Sequence, residues 1–324
     1  MGKLKALLFI LLLLAIGLLY YALSPVALPK EPFDFTLNQG NSLNAISRQF
    51  EREGLLDEGR LFSLFARLLG RSNKIQAGVY QLDHAVSKME LLRMITQGNA
   101  GKSQMKIIEG WNFRQLRTAL DANGNIRHDT EGRSDAEIMQ QIGAPGENPE
   151  GMFAPDTYFV AAGSSDVEFL RLAHRTMQRR LEQAWQERDP GIPLASPYQA
   201  LILASIVEKE TGAAADRSMI AGVFANRLRK HMLLQTDPTV IYGMGEKYRG
   251  VLHHDDMTRD TPYNTYTRQG LPPTPIAMPG RDAVYAALHP ANTDALYFVA
   301  KGDGSSQFSR NLADHNRAVD KYQK

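Results

Sequence analysis

Hydrophobic and polar positions along this chain follow three rhythms, and each predicts a different kind of element. The first is no rhythm at all. From Ala6 to Leu28 no charged residue interrupts the sequence, and its heart, Ala6 to Leu23, is apolar on every side of a helix. About 20 such residues cross a bilayer. A buried core helix is normally amphipathic, and a cleaved leader has an apolar stretch of only about 7–15 residues. Pro25 directly follows the small-x-small triplet Ala22-Leu23-Ser24 and opposes cleavage there. The pattern predicts a retained anchor over residues 6–25 behind a tail of residues 1–5. Lys3 and Lys5 precede it and the next basic residue is Lys30, which places the amino end in the cytoplasm and the rest beyond the membrane. Tyr20 and Tyr21 suit the far interface.

A Pro-rich linker (26–32) leads into mixed rhythms between Phe33 and residue 100. "FDFTL" alternates with period two, "NQGNS" is a turn with Ser42 as a cap, and "LNAISRQFEREGLL" and "EGRLFSLFARLLG" carry helical spacing. "AGVYQL" reads as a strand and "SKMELLRMITQG" as a helix stopped by Gly98. "QMKIIEGWNFRQLRTAL" repeats the strand, glycine turn and helix of "FTLNQGNSLNAISRQF", opening a connecting segment (101–150) whose stretch "DANGNIRHDTEGRSDAE" is polar and loop-rich. The third rhythm, long helical periods, begins near Gly151 with "DVEFLRLAHRTMQRRLEQAW", "SPYQALILASIVEKETG" and "RSMIAGVFANRLRKHM". Some forty residues of Gly, Pro, Tyr, Asn and Thr then show little periodicity, an unusual length for a loop inside a domain and one that points to function. A hairpin, "ALYFVAKGDGSSQFS", and a last helix complete the chain. The predicted class is α+β: a transmembrane helix, a small α/β subdomain, and a mainly helical domain (151–324) with a small antiparallel sheet.

Composition narrows the function. Thirty-seven Lys and Arg against 35 Asp and Glu give a net charge of +2, too balanced for nucleic acid to be the main partner. The absence of cysteine excludes disulfides, thiolate metal sites and a cysteine nucleophile. "HHDD" at 253–256 lacks the helical spacing of a zinc motif, and neither phosphate-loop nor dinucleotide fingerprints occur, so neither a metal nor a cofactor is expected.

Candidate chemistry lies at the end of "LILASIVEKETG". On a helix capped by Ser196, Glu210 shares a face with Leu203, Ile206 and Val207, whereas Glu208 is turned by about 200°. The two cannot form a close pair. Glu210 ends the apolar stripe, and both burial and the negative end of the helix dipole raise its pKa toward that of a general acid and base. Two solvated glutamates in a last turn are the ordinary alternative, which this stretch alone does not displace. Its company does more. "LQTDPTVIYG" (234–243), "TPYNTY" (261–266) and "GLPPTPI" (270–276) combine rigid backbone, aromatic faces and short amide or hydroxyl groups, a mixture suited to a groove for neutral N-acetylated glycan. Thr211, Gln235, Asp237, Tyr263, Asn264 and Tyr266 are the candidate polar contacts, with Pro272 and Pro273 as a wall.

Taken in order, "FAPDTY", "LASIVEKET", "NRL", "LQTDPTVIYG", "PYNTY", "GLPPTPI", "HP" before "YFVA", and "HN" at 315–316 resemble the endolytic murein transglycosylase (YceG-like) family over essentially the whole chain. The resemblance implies a LysM-like unit at 33–100 and Glu210 as the catalytic acid. It also implies cleavage of the MurNAc–GlcNAc bond inside peptidoglycan strands to 1,6-anhydro ends, limiting the length of nascent strands. Peptidoglycan strands, the inner membrane and peptidoglycan synthases are the expected partners, and the catalytic domain is expected in the periplasm. Members of the family often carry a histidine where this chain has Ser306, so that position is given no role. A hydrolytic muramidase, with Asp237 folding back beside Glu210, and a non-catalytic wall-binding adaptor are the alternatives.

Overall fold

The computed structural model of the protein describes residues 2–72, 74–82, 84–97, 102–161 and 163–323. The expected stop at Gly98 and the boundary at residue 100 lie outside them. The chain forms two compact units, one of residues 1–106, 125–127 and 156–164, the other of 107–124, 128–155 and 165–324.

The first unit opens with α1 (Gly2–Leu23), then β1 (Phe33–Leu37), α2 (Leu43–Arg52), α3 (Gly59–Leu68), β2 (Gly78–Leu82), α4 (Lys88–Gln97) and β3 (Lys102–Ile107), with β4 (Asp156–Ala161) returning later. Helix α1 carries 20 residues, Leu4–Leu23, long and apolar enough to cross a membrane. The strand order is β1-β2-β4-β3, with β1 and β2 antiparallel and β2 and β4 parallel. Period-two burial of Phe33, Phe35 and Leu37 puts one face of β1 inward, where Phe35 stacks on Tyr80 at 5.2 Å and Tyr80 on Phe159 at 4.9 Å. Helices α2 and α3 lay Ile46, Phe50, Phe62 and Ala66 onto that layer. β4 falls within the predicted mainly helical domain (151–324), where the sequence marks strands only in the late hairpin, because "DTYFVA" is a short apolar run and its pairing with β2 is long-range.

The second unit is mainly helical. It contains α5 (Phe113–Asp121), α6 (Asp135–Ile142), α7 (Asp166–Gln186), α8 (Pro197–Glu210), α9 (Arg217–Arg229), α10 (Asp237–Met244), α11 (His254–Thr258), α12 (Arg281–Leu288), the hairpin β5 (Tyr297–Ala300) with β6 (Ser306–Ser309), and α13 (Leu312–Tyr322). Helix α8 is the hub, packed by α7, α9, α10 and α12. Gly222 lets α9 approach closely: a Cβ there would stand 2.7 Å from the Ala291 carbonyl oxygen. Three helices lie in stretches that read as loop. Helix α6 starts inside the polar segment on a Ser134–Glu137 capping box; α10 and α11 occupy the aperiodic forty residues. The "HHDD" run is largely exposed and opens α11, with the His253 N–H donating to the Asp256 carboxylate at 3.1 Å.

Candidate active site

Ser196 accepts the Gln199 N–H and Pro197 opens the first turn, as the sequence predicts, so α8 starts where expected. Every residue from Ala200 to Val207 is buried. The helix is enclosed along that stretch, and beyond it Glu208 and Glu210 are both half-buried. Only Lys209 is exposed in the last turn. Glu208 Oε2 accepts the N–H of Gly280, the cap of α12, at 2.9 Å. That carboxylate finishes a neighbouring helix.

Glu210 is turned elsewhere. Its Oε1 accepts the Thr236 hydroxyl. Burial pushes the carboxyl from the ordinary 4.5 up to about 7; the Asp237 charge pushes the same way, while the Thr236 hydrogen bond and the Arg227 charge hold it back. A carboxyl so placed changes protonation state near neutrality. Thr236 is itself fixed by a buried threonine cluster. Its N–H donates to Thr265 Oγ1 at 3.1 Å, and its carbonyl accepts from Thr239 Oγ1 at 2.8 Å.

Asp237, the first residue of α10, lies within electrostatic reach of Glu210 and accepts the Tyr266 hydroxyl at 2.5 Å. Burial and that bond push the Tyr266 hydroxyl well above its ordinary range, so it remains a donor. Arg227, buried in α9, donates from Nε to the Leu296 carbonyl at 2.7 Å, and from Nη1 to the carbonyls of Leu233 and Leu234 at 3.1 and 3.0 Å. Nη1 also reaches Gln235 Oε1 at 3.3 Å, and the guanidinium lies over the Tyr297 ring at 5.0 Å. Gln235 has φ +48°, unusual for a residue with a side chain. Its N–H on the Thr265 carbonyl at 3.1 Å and its side chain on Arg227 hold it there. His315 stacks on Tyr297 at 5.2 Å, and burial keeps its pKa low.

The structure therefore gathers Glu210, Gln235, Asp237 and Tyr266, and it disperses the other candidates. Asn264 is buried, and its amide is spent on the carbonyls of Asp256, Met257 and Arg259 and on the Tyr266 N–H. It shapes the loop that carries Tyr266 instead of lining the groove. Thr211 Oγ1 accepts the Ala213 N–H at 2.9 Å. Pro272 and Pro273 wall a cavity of about 570 Å³ beside Ser196 and Gln199, at the opposite end of α8 from Glu210. Ser306 donates its N–H to Asp216 at 2.7 Å.

Tyr263 lines a larger cleft, about 1030 Å³, with Asn112, Gln115, Tyr242, Tyr248 and Lys209. At its floor Glu150, unremarked in the sequence, accepts the Phe113 N–H on both oxygens and the Tyr242 hydroxyl at 3.0 Å. Burial pushes its pKa up to about 7 against those hydrogen bonds. Arg227 and Thr236 were also within reach of sequence reading: one sits in "NRL", the other between Gln235 and Asp237. Replacing Thr236 by Val removes the bond that favours the ionised acid. The Glu210 pKa is then expected to rise by about one unit, as read by NMR titration of its side-chain carboxyl; an unchanged value would show that the hydroxyl does not tune it.

These positions define a helical domain whose central helix ends on a carboxylic acid with its pKa raised to about 7, beside polar and aromatic side chains. The chain belongs to the YceG-like family, whose model matches residues 35–321. It is 31% identical over 311 residues to a Bacillus subtilis protein named endolytic murein transglycosylase, covering 90% of this chain and 85% of that one. A Streptococcus pneumoniae protein of the same name is 26% identical over 87% of this chain, which spans 56% of the pneumococcal protein. The crystal structure of a yceG-like protein from Listeria monocytogenes superposes with a TM-score of 0.53 at 26% identity, covering 89% of this chain and 98% of that one.

Proposed function

We propose that this protein is an endolytic lytic transglycosylase that cuts the MurNAc–GlcNAc bond within peptidoglycan strands. The observation that carries the reading is Glu210: a half-buried residue whose carboxyl pKa is pushed up to about 7, in a chain similar over 90% of its length to a protein named for that activity. Glu210 protonates the glycosidic oxygen, so the GlcNAc side leaves as an alcohol. The muramyl 6-hydroxyl then bonds to its own anomeric carbon and returns its proton to the Glu210 carboxylate. No water is consumed, and one carboxyl serves as acid and then as base. The nearby Asp237 charge keeps Glu210 protonated and favours positive charge developing at the anomeric carbon, while Tyr266 and Thr236 orient the pair. The cleft of Asn112, Gln115, Tyr242 and Tyr248 is read as the seat of the strand beyond the bond, its rings facing sugar and its amides facing acetamido groups. These replace Asn264, Pro272 and Pro273 in that role.

Mass analysis of products from purified murein tests the reading. Ends lighter by one water are expected. Reducing ends would replace it by the muramidase in which Asp237 takes part, and no product at all by the adaptor. Around this activity, α1 is read as a single-pass anchor with its amino end in the cytoplasm and the catalytic unit outside, acting on nascent strands beside the synthases that make them. The run β1–α2–α3–β2, whose two strands pair antiparallel, supports reading residues 33–100 as LysM-like.

A further inference from the structure

One face of the first unit is out of keeping with a water-facing surface. On α3, Leu61, Leu64 and Leu68 are 43%, 53% and 64% exposed, and Leu69 follows at 40%. The opposite side of the same helix is fully used, with Phe62 and Ala66 buried in the core. An isolated exposed leucine needs no explanation, but a stripe at i, i+3 and i+7 does. Leu61 and Leu68 are the i−4 and i+3 neighbours of Phe65, so they share its side of the helix. Phe65 in turn packs edge-on against Tyr21, at 5.6 Å between ring centres, in the last turn of α1. The exit of the apolar α1 therefore abuts the leucine stripe. Cations flank it beside one acid, Glu58, whose charge reaches Tyr21: Arg60 and Arg67 are exposed on α3, Arg67 donating to Asn44 Oδ1 at 2.8 Å, and Lys88 Nζ lies over the Tyr21 ring at 5.1 Å while donating to Ser24 Oγ at 2.9 Å. Leucines beside an aromatic ring at the level of a membrane exit, rimmed by basic side chains, have the make-up of a helix lying in the headgroup and acyl boundary.

We propose that α3 is an interfacial helix: its Leu61, Leu64 and Leu68 face is seated in the leaflet from which α1 emerges, with Arg60 and Arg67 at lipid phosphates. The proposal rests on α1 spanning the membrane. The occupant is lipid because the face continues the lipid-exposed surface of α1 within one unit. A stripe seated in lipid ties the small unit to the bilayer at a second point beyond the span itself.

The absence of cysteine from the chain makes the test direct. Single cysteines placed by Leu64→Cys, Leu68→Cys and, within α1, Leu12→Cys are labelled with an environment-sensitive fluorophore in the full chain. The protein is then reconstituted into vesicles of phosphatidylethanolamine and phosphatidylglycerol. Circular dichroism checks the fold, which exposed positions should not disturb. Labels at 64 and 68 are expected to shift to the blue, to lose several-fold of their iodide quenching, and to be quenched by spin-labelled acyl chains. If the Leu12 label is lipid-buried while those at 64 and 68 stay open to iodide, the interfacial helix is wrong and the anchor stands. If the Leu12 label is open too, the anchor reading fails and takes the proposal with it. Shielding from iodide without lipid quenching, together with disulfide formation between copies, would assign the face to a second copy of the chain and overturn the proposal.

Discussion

Replacing Glu210 by Gln is expected to lower murein cleavage by about 10²–10⁴-fold while leaving the protein folded and more stable above neutral pH. The activity loss follows because the amide keeps the size of the side chain and can still accept the Thr236 hydroxyl, yet has no proton to deliver. The stability gain follows from the sign of the pKa shift. In the folded chain the Glu210 carboxyl titrates at about 7 against an ordinary 4.5, so the native state resists ionisation that the unfolded chain accepts freely. The cost is absent below pH about 4.5, grows as pH rises to about 7, and is constant above. At pH 8 the substitution should therefore stabilise by up to about 3 kcal/mol, with no gain at pH 4. Thermal melts at both pH values, beside product assays, check the two halves separately. In the proposed mechanism the acid form of Glu210 is the one that donates, so kcat/KM should fall as pH rises past about 7. Glu208→Gln makes the informative contrast. Its amide oxygen can keep the Gly280 N–H, and most activity should survive. Equal loss from both substitutions would remove the distinction between the two carboxylates.

How the sequence anticipated this site, and where it failed, has a physical pattern. Glu210 was legible because helical rotation separates it from Glu208 whatever the surroundings. The surroundings were not legible. The stripe argument treats α8 as lying on a surface, whereas α7, α9, α10 and α12 enclose it, and a fully enclosed helix carries no periodic signal in its own residues. Gln235, Asp237 and Tyr266 were found through local composition. Asn264 was misplaced for the same reason, since an amide suited to holding an acetamido group is equally suited to holding three carbonyls. Pro272 and Pro273 were chosen for a stiff backbone, and stiffness says nothing about which end of α8 they face. Glu150 could not be found at all. Its meaning comes from the Phe113 N–H, 37 positions away, and the Tyr242 hydroxyl, 92 positions away. In the first unit β1, α2, α3, β2 and α4 were all legible, because each has a period, a cap or a turn of its own. β4 was not, because its place depends on pairing with β2 from far along the chain.

Arg227 is the residue whose removal should do most damage away from the acid. It is 7% exposed, and its guanidinium serves the carbonyls of Leu233, Leu234 and Leu296 as well as the Gln235 side chain. Arg227→Met leaves those buried acceptors unserved and should cost about 3–4 kcal/mol. It also releases Gln235 from its φ of +48°, a conformation that persists only while its surroundings hold it. Thr236, the next residue, then loses its aim at Glu210, and misplacement on the scale of 1 Å is worth about 10²-fold in rate. A second effect separates geometry from charge. The Arg227 charge holds the Glu210 pKa down, so the Met variant should move the alkaline fall of kcat/KM to higher pH. Arg227→Lys keeps the positive charge but not the planar fork that reaches several carbonyls at once. It should lose rate and stability while leaving the pH of that fall nearly in place. Full activity and an unshifted pH profile in the Met variant would show that the loop positions Thr236 without help, and Arg227 would then be only a packing residue between α9 and the hairpin.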